Sequence, residues 1–137
     1  MIDYDFIRAK LNELASEYQI KKVAIDRWNA AQLSTQLSGD GFEMVGFGQG
    51  FASMSSPTKE LEKLLVIARQ INQRNNPVLR WMESNVANEQ DAAGNVKPSK
   101  KKSTERIDGI VAAIMAIGRM GFDAEESQFH DYEFAFA

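Results

Sequence analysis

A chain of 137 residues, 44% hydrophobic and 26% charged, is one ordinary domain with enough apolar material for a sizeable core, and its formal charge of -3 exerts no global pull on nucleic acid. The absence of cysteine excludes a disulfide framework and a thiolate metal site and makes a reducing, intracellular setting the default. No apolar run approaches the roughly 18 residues of a membrane span, and the acidic start Met1-Ile2-Asp3-Tyr4-Asp5 is unlike a signal peptide, so no membrane role is expected.

Apolar residues at Phe6, Ile7, Leu11, Leu14, Ala15 and Tyr18 recur at spacings of three and four, which predicts an amphipathic helix over 4–18 with Asp3 or Asp5 as its cap. Val23-Ala24-Ile25 is a short apolar triplet, two of it β-branched, and reads as a strand over 22–26 covered on both faces and ending on Asp26. Asn29 then caps a helix over 29–38, stopped by Ser38-Gly39-Asp40-Gly41, and 42–47 forms a second strand. Helix, strand, helix, strand is βαβ order, so the two strands should be parallel neighbours.

Gly48-Gln49-Gly50-Phe51-Ala52-Ser53-Met54-Ser55-Ser56 reads as a flexible loop, and Ser56-Pro57 as the cap and first position of a helix over 57–72 with Leu61, Leu64, Leu65, Ala68 and Ile71 inward. After the turn Asn75-Asn76-Pro77, the run Val78, Leu79, Trp81, Met82 leaves a short helix and an extended segment both open. Segments 85–90 and 95–98 flank Asp91-Ala92-Ala93-Gly94, a hairpin turn. Thr104 caps a strongly apolar helix over 104–120, ended by Gly121.

Charge is unevenly spread. Lys97, Lys100, Lys101, Lys102 and Arg106 stand against the single acid Glu105, whereas Asp123, Glu125, Glu126, Asp131 and Glu133 have no Lys or Arg among them. The expected division is therefore a domain over 1–122 and an acidic tail over 123–137. Trp28 and Trp81 could stack on bases, with buried packing favoured. The lone His130 has no matching Ser or Cys nucleophile pattern, which argues against a catalytic triad, and the absence of a GxxxxGK[ST] motif excludes P-loop chemistry.

Two acids remain. In open α/β sheets ligands bind at the carboxyl ends of strands, where Asp26 stands. Asp108 lies in the first turn of the most apolar helix, beside the basic stretch, with the small Gly109 after it. Each is explained by helix capping or dipole alone. Together, if they converge, they would form an oxygen-ligand site for Mg²⁺ or Mn²⁺.

Val23 to Asn29, then Gly48-Gln49-Gly50-Phe51 with Ser53-Met54-Ser55 and Pro57, then Asn76-Pro77-Val78-Leu79-Arg80-Trp81-Met82 with Asn85, then Asp91 with Gly94-Asn95-Val96-Lys97-Pro98, and Ile107-Asp108-Gly109 follow in a fixed order. In that order and spacing the chain resembles the large terminase subunit of tailed bacteriophages. That family joins an ATPase motor to a C-terminal RNase H-like nuclease that cuts concatemeric phage DNA during packaging. The resemblance implies a truncated RNase H-like α/β fold, a parallel pair and a hairpin packed by the four helices above. It also implies metal-dependent hydrolysis of double-stranded DNA, with Asp26 and Asp108 holding Mg²⁺ or Mn²⁺, two ions in the complete site. Lys97, Lys100, Lys101, Lys102 and Arg106 would lie along the DNA. The implied partners are double-stranded DNA and other terminase or portal proteins, in the cytoplasm of a bacterial host carrying a phage or prophage.

Two departures qualify the match. The family's nuclease opens with strands that bring a further aspartate, whereas Asp3 and Asp5 precede a helix and are not given that role. The expectation is a C-terminal part without the ATPase domain and first nuclease strands, its catalytic site incomplete, exposing apolar surface or forming a homo-oligomer. Gln73 also stands where the family often has a histidine before Asn-Pro. The alternative is a non-catalytic DNA- or protein-interaction module of the packaging machinery.

Overall fold

The structure, a computed structural model, describes residues 2–26, 30–67 and 76–135. They fall into two compact units, Met1–Gly48 and Gln49–Ala137.

In the first unit the Asp3 carboxylate accepts from the Phe6 N–H at 3.1 Å and starts helix α1, Tyr4–Glu17. Strands β1 (Val23–Asp26) and β2 (Met44–Phe47) are parallel, in a register from Val23 opposite Met44 to Asp26 opposite Phe47. Helix α2, Ala31–Gly39, is the crossover that parallel pairing needs. The expected cap Asn29 and Trp28 lie outside the described residues. β1 is half-buried along its length rather than fully covered. Among the described residues of this unit only Leu37 is a buried hydrophobic side chain. α1 buries none, and Ile2, Phe6 and Tyr18 are exposed, in line with the expected exposed apolar surface. An ion pair joins α1 to the residue that follows α2. Arg8 donates twice to Asp40, 2.6 Å each, and Asn12 donates to the same carboxylate at 3.0 Å. These bonds hold the Asp40 carboxyl down at a pKa of about 2.

The second unit departs from the sequence expectation at its start. Helix α3 spans Phe51–Glu62, so two thirds of the expected loop 48–56 is helix, Ser56 is no cap, and Pro57 sits inside the helix. Met54, Thr58 and Leu61 are buried at i, i+4 and i+7, and that stripe carries the helix across the proline. A π-helical stretch, Lys63–Ile67, follows. The outer end of the predicted helix, with Ala68 and Ile71, lies outside the described residues. The open case at 77–85 resolves as helix α4, Pro77–Asn85, because Asn76 Oδ1 accepts from the N–H groups of Val78 and Leu79. Trp81 on α4 is 45% exposed, against the expected burial.

The hairpin falls where predicted, as β3 (Asn88–Gln90) antiparallel to β4 (Val96–Pro98). Asp91 builds its turn by accepting from the N–H groups of Ala93 and Asn95, and Gly94 takes φ +84°. Helix α5 runs Asp108–Ala135. Its start is four residues later than expected, since Thr104 is spent on Asn85: its N–H donates to the Asn85 carbonyl at 3.2 Å and its hydroxyl to Asn85 Oδ1 at 3.3 Å. Ile107 takes the cap position instead, its carbonyl accepting from the Val111 N–H. The helix passes Gly121, which keeps a negative φ and so makes no left-handed stop. α3 packs on α5 and β4, and Met54, Leu61, Ile107, Ile110, Val111, Ile114 and Met115 form the core. α4 meets the head of α5 closely: the Gly109 N–H lies 3.2 Å from the Met82 sulfur, where any Cβ would fall 2.8 Å from that atom.

Candidate functional site

The basic stretch 99–106 is a held loop, and its own side chains hold it. Ser99 is buried; its hydroxyl accepts the Lys102 N–H at 3.1 Å and its carbonyl accepts the Ser103 N–H. Ser103 Oγ accepts the Ala87 N–H at 3.0 Å, and Thr104 is fastened to Asn85 as above. The loop is thus pinned to α4 and the hairpin before the chain turns into α5.

That pinning sets where each predicted cation goes. Lys100 Nζ lies 3.0 Å from the Asp108 carboxylate, with both side chains about 60% exposed. A pair so exposed contributes about 0 to 1 kcal/mol, so the contact positions Asp108 without locking it. Lys97 is committed differently: its ammonium is 3.3 Å from Glu89 across the hairpin and 4.8 Å above the Phe51 ring. Lys101, Lys102 and Arg106 are exposed and have no carboxylate within ion-pair distance among the described residues.

Lys97, Lys100 and Lys101 line one side of a cavity of about 280 Å³ whose other walls are Gln49, Met54, Glu89, Pro98, Ser99 and Val111. Gln49, Ser99, Glu89 and Phe51 escaped the sequence reading as site residues. The signal in the sequence is Gly46-Phe47-Gly48-Gln49-Gly50, which resembles half a phosphate-binding loop but lacks GxGxxG spacing and reads there as a flexible turn.

Asp26 ends β1 in the first unit, half-buried, and Asp108 opens α5 in the second. Both offer hard oxygen donors of the kind Mg²⁺ and Mn²⁺ prefer. Among the described residues no group of three or more His, Cys, Asp or Glu side chains is placed to hold a metal ion. The donor chemistry of each carboxylate fits such an ion.

The described elements are those of a small α/β fold, with a parallel βαβ pair, a hairpin and an acid at the head of the long helix. The chain belongs to the terminase large subunit endonuclease-domain family, whose model matches residues 1–125. It is 34% identical to the terminase large subunit of Enterobacteria phage HK97, covering 97% of this chain and 27% of that protein, and 31% identical to Protein YmfN of Escherichia coli K12, covering 96% and 29%. The crystal structure of the HK97 bacteriophage large terminase matches with a TM-score of 0.77 and 36% identity over 86% of this chain and 25% of that one. The chain spans about a quarter of the length of the relatives it matches.

Proposed function

We propose that this chain serves in phage DNA packaging as a metal-dependent nuclease module that hydrolyses a phosphodiester of double-stranded DNA, in the cytoplasm of the bacterial host. Asp26 and Asp108 are the metal ligands in this reading, and Lys97, Lys100, Lys101, Lys102 and Arg106 meet the DNA, with other terminase or portal proteins as partners. The observation that carries it is the head of α5: an exposed carboxylate delivered beside an arrayed cationic loop, in a chain of this family. Bound Mg²⁺ or Mn²⁺ would supply Lewis acidity and an activated water. The chain's own residues do the rest. The loop cations neutralise backbone phosphate and orient it, and Lys100 holds the Asp108 carboxylate in place until the site is filled.

The test is cleavage of supercoiled plasmid in Mn²⁺ together with calorimetric Mn²⁺ titration, for the wild type, Asp26→Asn and Asp108→Asn. Each substitution is expected to weaken Mn²⁺ binding at least tenfold and to abolish nicking. Equal cleavage by all three would overturn the assignment; where no form cleaves, equal Mn²⁺ isotherms would do so. The exposed cations Lys101, Lys102 and Arg106 support, as a second reading, a non-catalytic DNA- or protein-interaction module of the packaging machinery. Duplex binding unaffected by Mn²⁺ and by both substitutions would select it.

A further inference from the structure

Resting on the DNA-binding part of that proposal, we infer that the cavity under the 97–101 segment is a seat for one backbone phosphate of the duplex, made by Lys100, Lys101, Gln49 and Ser99. The charge inside argues for an anion. Three lysines line the cavity against one carboxylate, Glu89, and that carboxylate is already paired with Lys97 at 3.3 Å. Lys101 has no carboxylate in reach among the described residues, and Lys100 reaches only to Asp108, which does not line the cavity.

Two of the neutral wall residues, Gln49 and Ser99, carry donors. The Gln49 side-chain amide spends an N–H on the Met115 sulfur at 3.6 Å, a weak acceptor that an anionic oxygen would readily replace. The buried Ser99 hydroxyl accepts from the Lys102 N–H and keeps its own proton to give. With a water taking about 30 Å³, the space admits a phosphate group and several waters.

This sharpens the roles of neighbouring lysines. Lys101 lines the cavity and Lys102, one residue on, does not, so two identical charges should differ in what they do. The experiment measures binding of a fluorescently labelled 20-base-pair duplex by the full chain in EDTA, across a salt series, for wild type, Lys101→Gln, Lys102→Gln and the near-isosteric Gln49→Glu. Far-ultraviolet circular dichroism melts confirm that each variant is folded. Lys101→Gln is expected to weaken binding roughly tenfold and flatten the salt slope by about one, Lys102→Gln to weaken it about twofold. Gln49→Glu, which places a carboxylate in the seat, is expected to weaken binding at least tenfold. A parallel titration with inorganic phosphate, followed at the Gln49 side-chain amide by NMR, should need millimolar phosphate and be displaced by duplex. Equal effects of the two lysine substitutions with a silent Gln49→Glu would overturn the seat and leave the nuclease proposal standing. Tight phosphate binding that duplex does not displace would overturn the DNA backbone as its occupant. Failure of Asp26→Asn and Asp108→Asn to alter Mn²⁺ binding, with the lysine pattern intact, would overturn the nuclease proposal and leave the seat.

Discussion

Replacing Ile114 with alanine probes whether the second unit stands on the α3–α5 core. Ile114 is 1% exposed, on the face of α5 that meets Leu61 and Thr58. The substitution removes three methyl-sized groups, each worth about 0.8 kcal/mol of burial, or about 2.4 kcal/mol before any void is counted. The site adjoins an open cleft of about 280 Å³ lined by Thr58, Leu61, Ile110 and Ile114 itself. The new space therefore merges with a solvent-reachable cleft, which limits the void contribution, and the total should be about 3 kcal/mol, within the range of such deletions. Urea unfolding followed by Trp81 fluorescence in a Trp28→Phe background reports on this unit. With a slope of about 1.5 kcal/mol per molar, the midpoint should fall by about 2 M. Val78→Ala, at a residue 58% exposed, is the control and should shift it by less than about 0.3 M. Equal shifts for the two would refute the reasoning that α5 is the buried spine of the unit.

Gly109→Ala should cost about 1 kcal/mol, because its Cβ would fall 2.8 Å from the Met82 sulfur, and Met82→Ala should recover part of that loss. A double-mutant cycle in urea checks it, and strictly additive effects would show that the two do not touch. Asp40 contributes to the acid behaviour of the first unit. Its folded pKa of about 2 lies below the usual carboxylate value of about 3.9, so its contribution is full above pH 4 and lost as pH falls toward 2. Arg8→Met should flatten the loss of stability over that window, read by acid titration of circular dichroism; an unchanged profile would remove the ion pair from the account. Lys100→Gln should tighten Mn²⁺ binding about twofold to fivefold by releasing Asp108, measured calorimetrically, and weaker binding would mean that Lys100 supports rather than competes with the ion.

The parallel pair and the hairpin were legible because each is written locally. The apolar triplet Val23-Ala24-Ile25 before Asp26 and an Asp91-to-Gly94 turn carry their geometry in short-range chemistry. Helix boundaries were not, because tertiary contacts decided them. Pro57 reads as a start signal, but the buried stripe Met54, Thr58, Leu61 draws the helix back to Phe51. Thr104 reads as a cap, but Asn85, nineteen residues earlier, claims it. Gly121 ends a helix only when it adopts a left-handed conformation, which no sequence pattern states. For the site, Asp108 and the lysines could be nominated, yet their division of labour could not. That Lys97 belongs to Glu89 and Phe51 while Lys100 belongs to Asp108 follows from hairpin register and from the serine bonds that fold the loop.

The sulfur of Met82 against the first turn of α5 carries a practical consequence. Met82 is half-buried, within reach of small oxidants, and sits where not even a β-carbon on Gly109 has room. Peroxide would turn that thioether into a bulkier, polar sulfoxide and wedge α4 from the helix end that presents Asp108. Samples aged in air would then lose order at the head of α5 while the hairpin stayed intact, and a methionine sulfoxide reductase would restore them.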